Sequence, residues 1–387
     1  MRRSMSLKAT AVVLAVGMAT VLPPVSGTLA QRNRLEVQPG QSIQAAIDAA
    51  PPGATIEVAS GTYRKNLVVA KDGITLEGAG AGRTVLLPPA QPTPVCPLFF
   101  PPAEVLDAGL NGICVANVDQ QGNILGTVHD VRVTGFTVQE FPGVGIVFAG
   151  TRGARADHNV AANNEDYGIT AFASTHGQFD NNTVYGGSDA GLYMGNSPDA
   201  HFTIKDNTAS ANLWGILVRD SSAGRITGNT LHDNCSGLVF LNTGIGTGVK
   251  DWVASDNIAT HNDEFCPGST TGLPFTLTGL GILIAGGQHI VLQHNTVRAN
   301  QPGGTPSTLN GVPLSGGIVV LSTAHISVFS NGVLGSDAAH DIIVNNTVRD
   351  NKPFDLVYDR LGTGNRFRHN ECNTSIPPGL CLADRGN

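Results

Sequence analysis

The sequence predicts an all-β solenoid of short strands, wound in coils of about two dozen residues, and three observations carry that prediction. First, a Gly-apolar-x-apolar unit returns at Gly112 (GICV), Gly145 (GIVF), Gly168 (GITA), Gly191 (GLYM), Gly215 (GILV), Gly237 (GLVF), Gly281 (GILI) and Gly317 (GIVV). Second, an asparagine keeps step with it at Asn159, Asn182, Asn207, Asn229, Asn257, Asn295, Asn346 and Asn370. Third, 48 glycines and only 14% charged residues make a chain rich in turns and poor in surface-helix material.

A coil of that length holds about three strands of three to five residues, each burying every second side chain. In GILV the inward residues are Ile216 and Val218, and Leu217 faces out. One coil cannot bury its apolar face or pair its strand edges; stacking coils ~4.8 Å apart does both. The recurring asparagine then stacks into a ladder of side-chain amides at one buried bend. A β-propeller is excluded because its blades need roughly 40 residues or more.

In chain order, residues 1–30 read as a secretory signal peptide: Arg2, Arg3 and Lys8, an apolar run from Ala9 to Leu22, and the small-x-small end Thr28-Leu29-Ala30. Pro23, Pro24 and an apolar run under ~18 residues argue against a membrane anchor. No later stretch is long enough to span. The expectation is an exported, soluble, monomeric chain forming one solenoid domain over residues 31–387, with a cap at about 35–60 and a stapled tail at about 365–387. A net charge of −7 argues against nucleic acid. Six cysteines in an exported chain without CxxC spacing read as disulfides rather than metal ligands.

The N-terminal stretch VQPGQSIQAAIDAAPPGATIEVASGTYRKNLVVAKDGITLEGAGAGRTVLL, together with the repeat, resembles the right-handed parallel β-helix of the pectate-lyase-like superfamily over roughly Leu35 to Cys381. Ser42 can cap a short helix with Ile43 and Ile47 on one face; the resemblance implies that this helix plugs the open end of the solenoid. It also implies that GILV starts a first sheet, RIT a second, Gly228-Asn229 the ladder turn, and TLHD a third. In that register Cys235 and Cys266 are stacked neighbours. Cys96 with Cys114 would pin a loop, and Cys372 with Cys381 would staple the tail.

Around the first sheet, turns are short in the coils of Gly168 to Gly237 and long at 87–111, 116–130, 241–251, 261–280, 300–316 and 321–340. Long bare loops in a compact solenoid are often functional, so the expectation is an open groove with walls. Its floor would carry the outward residues Thr170, Phe172, Tyr193, Gly195, Leu217, Arg219 and Val239, free of core duty. One lip would carry Asp166 and Asp189, stacked one coil apart and able to share a proton or a Ca²⁺ ion. The other would carry His176, Asn196, Asp199, His201 and Asp220. The bland alternatives are a backbone-capping role for the aspartates, a surface role for His201, and stacking along the turns for Trp214 and Tyr167. The wall loops hold further acids, Glu104, Asp107, Asp263 and Glu264, whose place the sequence does not fix.

Aromatic and polar groups on a flat groove suit carbohydrate, with Trp214, Thr170 and Phe172 among the contacts. By resemblance to the superfamily's polysaccharide lyases, Arg219 would neutralise a uronate carboxylate, with Tyr193 or His176 as base or acid. The paired-aspartate signature of the pectin hydrolases is missing. YGITAFAS stands where the mannuronan epimerases carry Asp-Pro-His-Asp. Two classes stay open: a lyase of an acidic polysaccharide, and a non-catalytic β-helix that binds a glycan or a cell-surface partner.

Overall fold

Three parallel sheets run the length of the chain, because each coil supplies one strand to each of them. The computed structural model describes residues 33–91, 94, 96, 98–100, 104–107, 109–328 and 332–381. The predicted leader, residues 1–30, lies outside them. The first sheet has 11 strands, from Leu67–Val69 to Ser375–Ile376; the second has 12, from Arg34–Val37 to Arg366–Arg368; the third has 10, from Gly61–Arg64 to Thr347–Arg349. This is the expected right-handed parallel β-helix. GILV lies in the first sheet within Trp214–Arg219, RIT in the second within Ser222–Thr227, and TLH in the third as Thr230–His232.

The asparagine ladder forms as predicted. From Asn159 through Asn182, Asn207, Asn229, Asn257, Asn295 and Asn346 to Asn370, each Nδ2 donates to the Oδ1 of the next coil's asparagine at 2.9–3.2 Å. That same Oδ1 accepts the preceding asparagine's backbone N–H, as from Asn207 N to Asn229 Oδ1 at 3.0 Å. Only a short side chain with both a donor and an acceptor can serve this corner. A second ladder, which the sequence reading missed, runs Asn212, Asn234, Asn262, Asn300 and Asn351 at 2.8–3.1 Å and ends on Asp355. It fixes the turn that enters the first sheet.

The residue before each ladder asparagine takes a left-handed conformation, which Asn, Asp and His tolerate better than bulkier types. Left-handed bends, at this corner and at others, absorb eight of the 11 histidines: His158, His176, His201, His261, His289, His294, His340 and His369. Most histidines here are therefore explained by the backbone.

Helix α1, Ile43–Ala49, closes the N-terminal end with Ile43 and Ile47 buried, and Ser42 Oγ accepts from Ala45 N at 3.2 Å. Gln44 behaves like a short strand. Its amide accepts from Val68 N at 2.9 Å and donates to Val68 O at 3.0 Å, so the first strand's edge is paired rather than left open to another chain. The three expected disulfides, Cys96–Cys114, Cys235–Cys266 and Cys372–Cys381, are all formed.

One expectation fails. The outward face of the first sheet was to be an open floor, yet Tyr193, Thr170, Phe172, Leu217, Val239 and Arg219 are all buried. Ile216 and Val218 join the inner core, while Leu217 joins a second apolar cluster outside the sheet with Tyr167, Trp214, Leu273, Leu277 and Leu314. The reason is in the strands. GILV, GLVF, GILI and GIVV are unbroken apolar runs, the pattern of strands buried on both faces, and the long loops supply the cover.

Three stability outcomes follow. Asn207→Ala should cost about 1–3 kcal/mol by chemical denaturation, since it orphans groups on two coils. Leu217→Ala should cost about 2–5 kcal/mol, comparable to Ile216→Ala, because each opens a cavity in a packed cluster; a negligible value for Leu217 would contradict the second core. Asp341 is fully buried, its Oδ1 accepts from Ile290 N at 2.8 Å and its Oδ2 has no hydrogen-bond partner. Burial pushes its pKa up to about 8, against the lowering effect of the Ile290 N–H. A carboxyl raised in the folded state stabilises fully below its unfolded value near 3.9 and loses that contribution as pH rises toward 8. Asp341→Asn should therefore flatten the decline in unfolding free energy between about pH 5 and 8 and gain about 3 kcal/mol or more at pH 8.

Candidate functional site

Where the outer face of the first sheet is not covered, it borders a cleft of ≈ 640 Å³. The second ladder builds its inner wall, because the cleft runs along the turns that this ladder holds: Asn212, Leu213, Trp214 and Cys235 on adjacent coils, with Asp189 one coil back. The 261–280 loop builds the outer wall with Glu264, Cys266 and residues 270–273, the last including the end of helix α2, Gly268–Thr271. That loop leaves the ladder at Asn262, and Glu264 N donates to Asn234 O at 3.3 Å. The Cys235–Cys266 disulfide then ties it to the neighbouring coil.

At the inner end the ionisable groups meet. Tyr167 and Tyr193 lie with ring centroids 4.9 Å apart, Phe172 lies 4.8 Å from Tyr193, and the Arg219 guanidinium sits 5.7 Å from the centre of the Tyr193 ring. Arg219 Nε is 3.9 Å from Asp220 Oδ2. Tyr193 runs flat along its strand toward Gly195, where a Cβ would fall 1.9 Å from its hydroxyl oxygen. Glycine at 195 is what lets that ring lie down. Burial raises the Tyr167 pKa well above the ordinary phenol value, and Asp189, Tyr193 and Asp166 add to the rise while Arg219 opposes it. The Tyr167 phenol therefore keeps its proton.

The structure sorts the predicted residues. Asp189, Arg219 and Trp214 line the cleft, joined by Tyr167 and Glu264. Asp166 is half-buried and acts on Tyr167 through its charge. Tyr193 and Phe172 lie under the site as packing, and Thr170 is buried with its hydroxyl lacking a hydrogen-bond partner. His176 is not part of it. It is exposed at a left-handed bend beyond the far end of the strand, 3.1 Å from an Arg152 nitrogen, with its ring tilted against that of His201 at 5.1 Å between centroids. Asp199 is exposed and pairs with His201 at 2.8 Å. Asn196 is half-buried just past the end of the strand Ala190–Gly195. Asp220 is a buried anchor: it accepts from Thr243 N at 2.9 Å and from the Thr243 hydroxyl. The far lip thus shares no cleft with the near one, because the sheet's covered outer face separates them. Among the described residues no group of three or more His, Cys, Asp or Glu is arranged to hold a metal ion, so the suggested Asp166–Asp189 cation site has no third ligand of those types there.

Tyr167 and Glu264 were readable in principle. Glu264 stands two residues before Cys266, whose pairing with Cys235 places it at the lip. The second ladder repeats an asparagine five residues after each of Asn207, Asn229, Asn257, Asn295 and Asn346. Glu104 and Asp107 lie outside the described side chains.

A family model described as a right handed beta helix region matches residues 105–265 and 144–331. Among solved structures, the A-module of a mannuronan C-5 epimerase from Azotobacter vinelandii is similar at 18% identity and TM-score 0.55, over 84% of this chain and 89% of that one. An alginate lyase from Paenibacillus sp. strain FPU-7 matches at 15% identity and TM-score 0.52, over 85% and 99%. DFA-IIIase from Arthrobacter chlorophenolicus A6, without its lid, matches at 14% identity and TM-score 0.51, over 92% and 97%. At these identities the likeness is one of fold. No curated protein sequence matches the chain significantly.

Because Arg219 is only 3% exposed and packs on Tyr193 beside Asp220, Arg219→Ala should destabilise the fold by the order of 3 kcal/mol, as removal of one buried charge partner does. Thermal unfolding at neutral pH checks this. An unchanged midpoint would place the guanidinium in solvent instead.

Proposed function

The chain belongs to the right-handed β-helix family, and from that premise we propose that it is an exported carbohydrate-active protein, a lyase that takes an acidic glycan in the cleft beside the first sheet. Export is supported by the three disulfides. Among the described residues no helix is long and apolar enough to cross a membrane. The observation that carries the reading is Arg219: a nearly buried guanidinium at the wall of a cleft flanked by Trp214 and Tyr167. A guanidinium stays charged at any working pH and matches a carboxylate in a two-point grip.

The roles are as follows. Arg219 neutralises the uronate carboxylate and so acidifies the adjacent C5–H. Asp189 takes that proton. The C4–O4 bond breaks with the C5 electron pair forming the C4=C5 double bond, and Tyr167, still protonated, gives its proton to the leaving oxygen. Proton exchange between Asp189 and Tyr167 restores both groups. Structural neighbours that include an alginate lyase and a mannuronan epimerase support carbohydrate as the ligand class.

A second reading, glycan binding without turnover, is favoured by one observation: among the described residues lining the cleft there is no imidazole or amine base, His176 standing elsewhere. Incubation with a panel of uronate polymers, followed at the absorbance of unsaturated uronates, tests the lyase. Asp189→Asn and Tyr167→Phe should each lower product release by about 100-fold or more. Saturable binding by the parent without any unsaturated product would select the second reading.

A further inference from the structure

We infer that the cleft takes a mixed glycan, in which a single uronate is flanked by neutral sugars, rather than a run of uronates. The inference rests on the reading of the cleft as a glycan site, and it comes from counting charge. The ionisable side chains lining the cleft are Asp189 and Glu264 against Arg219, with Tyr167 held protonated. Two acids and one base leave a formal charge of −1. Asp220, 3.9 Å from Arg219, adds a further negative charge just behind the wall.

A volume of ≈ 640 Å³ lies within the range of about 300–1,000 Å³ that encloses ligands of drug size. Such a space admits more than one sugar ring. In a homopolymer of uronates every ring brings a carboxylate, and only one of them can reach Arg219. The next would enter beside half-buried Asp189 or exposed Glu264, where like charges repel. Among the described residues no set of His, Cys, Asp and Glu groups is arranged to recruit a divalent cation that would bridge them. The remaining lining favours uncharged rings. Leu213, Leu273 and Trp214, although mostly buried, bring their remaining apolar surface to the lining.

Glu264 is the residue that sets this preference. It is exposed at the base of the outer wall, where its backbone is fixed to the ladder through Asn234 O. Its carboxylate therefore screens whatever ring lies next to the one at Arg219.

Calorimetric titration of the full protein distinguishes the cases. The probes are a homo-oligouronate and an alternating uronate–neutral sugar oligomer of equal length, each with chelator and with added Ca²⁺. The alternating oligomer should bind at least tenfold more tightly, and Glu264→Gln should improve the homo-oligouronate at least threefold and the alternating oligomer by less. Equal or tighter binding of the homo-oligouronate by the parent, with or without Ca²⁺, overturns this inference and leaves the glycan reading standing. So does a Glu264→Gln variant that improves neither oligomer. Absence of binding by both probes overturns the glycan reading itself, and the inference with it.

Discussion

A side-chain amide that both gives and takes a hydrogen bond is the constraint on which the molecule rests. At each corner the backbone turns inside the protein, where an unpaired N–H costs about 1–3 kcal/mol. In the Asn159–Asn370 ladder one Oδ1 satisfies a backbone N–H and a neighbouring amide at once, so a single residue type serves two coils. Aspartate would lose the donor. Glutamine would add a rotor. Because the amides touch only at strand spacing, the ladder also enforces the coil pitch and holds the three sheets in register. The left-handed residue before each asparagine is the local consequence, and it accounts for four of the histidines, His158, His261, His294 and His369.

The second ladder connects this architecture to the site. Its asparagines occupy the turn entering the first sheet, and the long loops begin directly after them: 261–280 beyond Asn262, and 300–316 beyond Asn300. An insertion hung on a rigid corner can vary in length without disturbing the coils beneath, which is why chemistry tends to accumulate on loops carried by a scaffold. Here the insertions fold back over the sheet, form a second core on its outer face, and among the described residues leave a cleft along the ladder. The cleft is the part of the lip that the loops do not cover.

Much of this was legible in the sequence. The glycine and asparagine periods gave the coil length and the inward phase of Ile216 and Val218, because both depend on interactions that repeat between adjacent coils, while the capping helix and the disulfide pairs came with the resemblance to the β-helix superfamily. What misled was the outward phase. Period-two alternation assigned Leu217 and Tyr193 to solvent, although the strands around them are apolar at every position, and that pattern signals burial on both faces. Asp189, read on the near lip, and Arg219, read on the floor, both line the cleft because their coil register was right. His176 did not, since register says which coil a residue belongs to but not whether a covered sheet lies between two lips. Glu264 stayed unplaced because a loop conformation has no period to read.

Charge on the two sheets shows why Arg219 differs from the other arginines. On the second sheet Arg132 and Arg155 alternate with Asp157 and Asp180 on neighbouring coils. Each guanidinium grips a carboxylate through two nitrogens, at 2.7 and 2.6 Å for Arg132 with Asp157 and at 2.9 and 2.8 Å for Arg155 with Asp180. Burial alone would raise the Asp157 pKa. Its bonds from Arg132, His158 and Thr134 outweigh burial and hold it at about 2. That stack neutralises itself, so its residues are structural. Arg219 has no such stack: its in-register neighbours are Gly195 on one side and Leu241 on the other, neither of which carries charge. Asp220, whose Oδ2 lies 3.9 Å from Arg219 Nε, comes from the next position in the chain and is held by Thr243. A nearly buried cation is costly to the fold unless its charge is balanced, and Arg219 carries its charge on the cleft wall rather than within a self-neutralising stack on the second sheet.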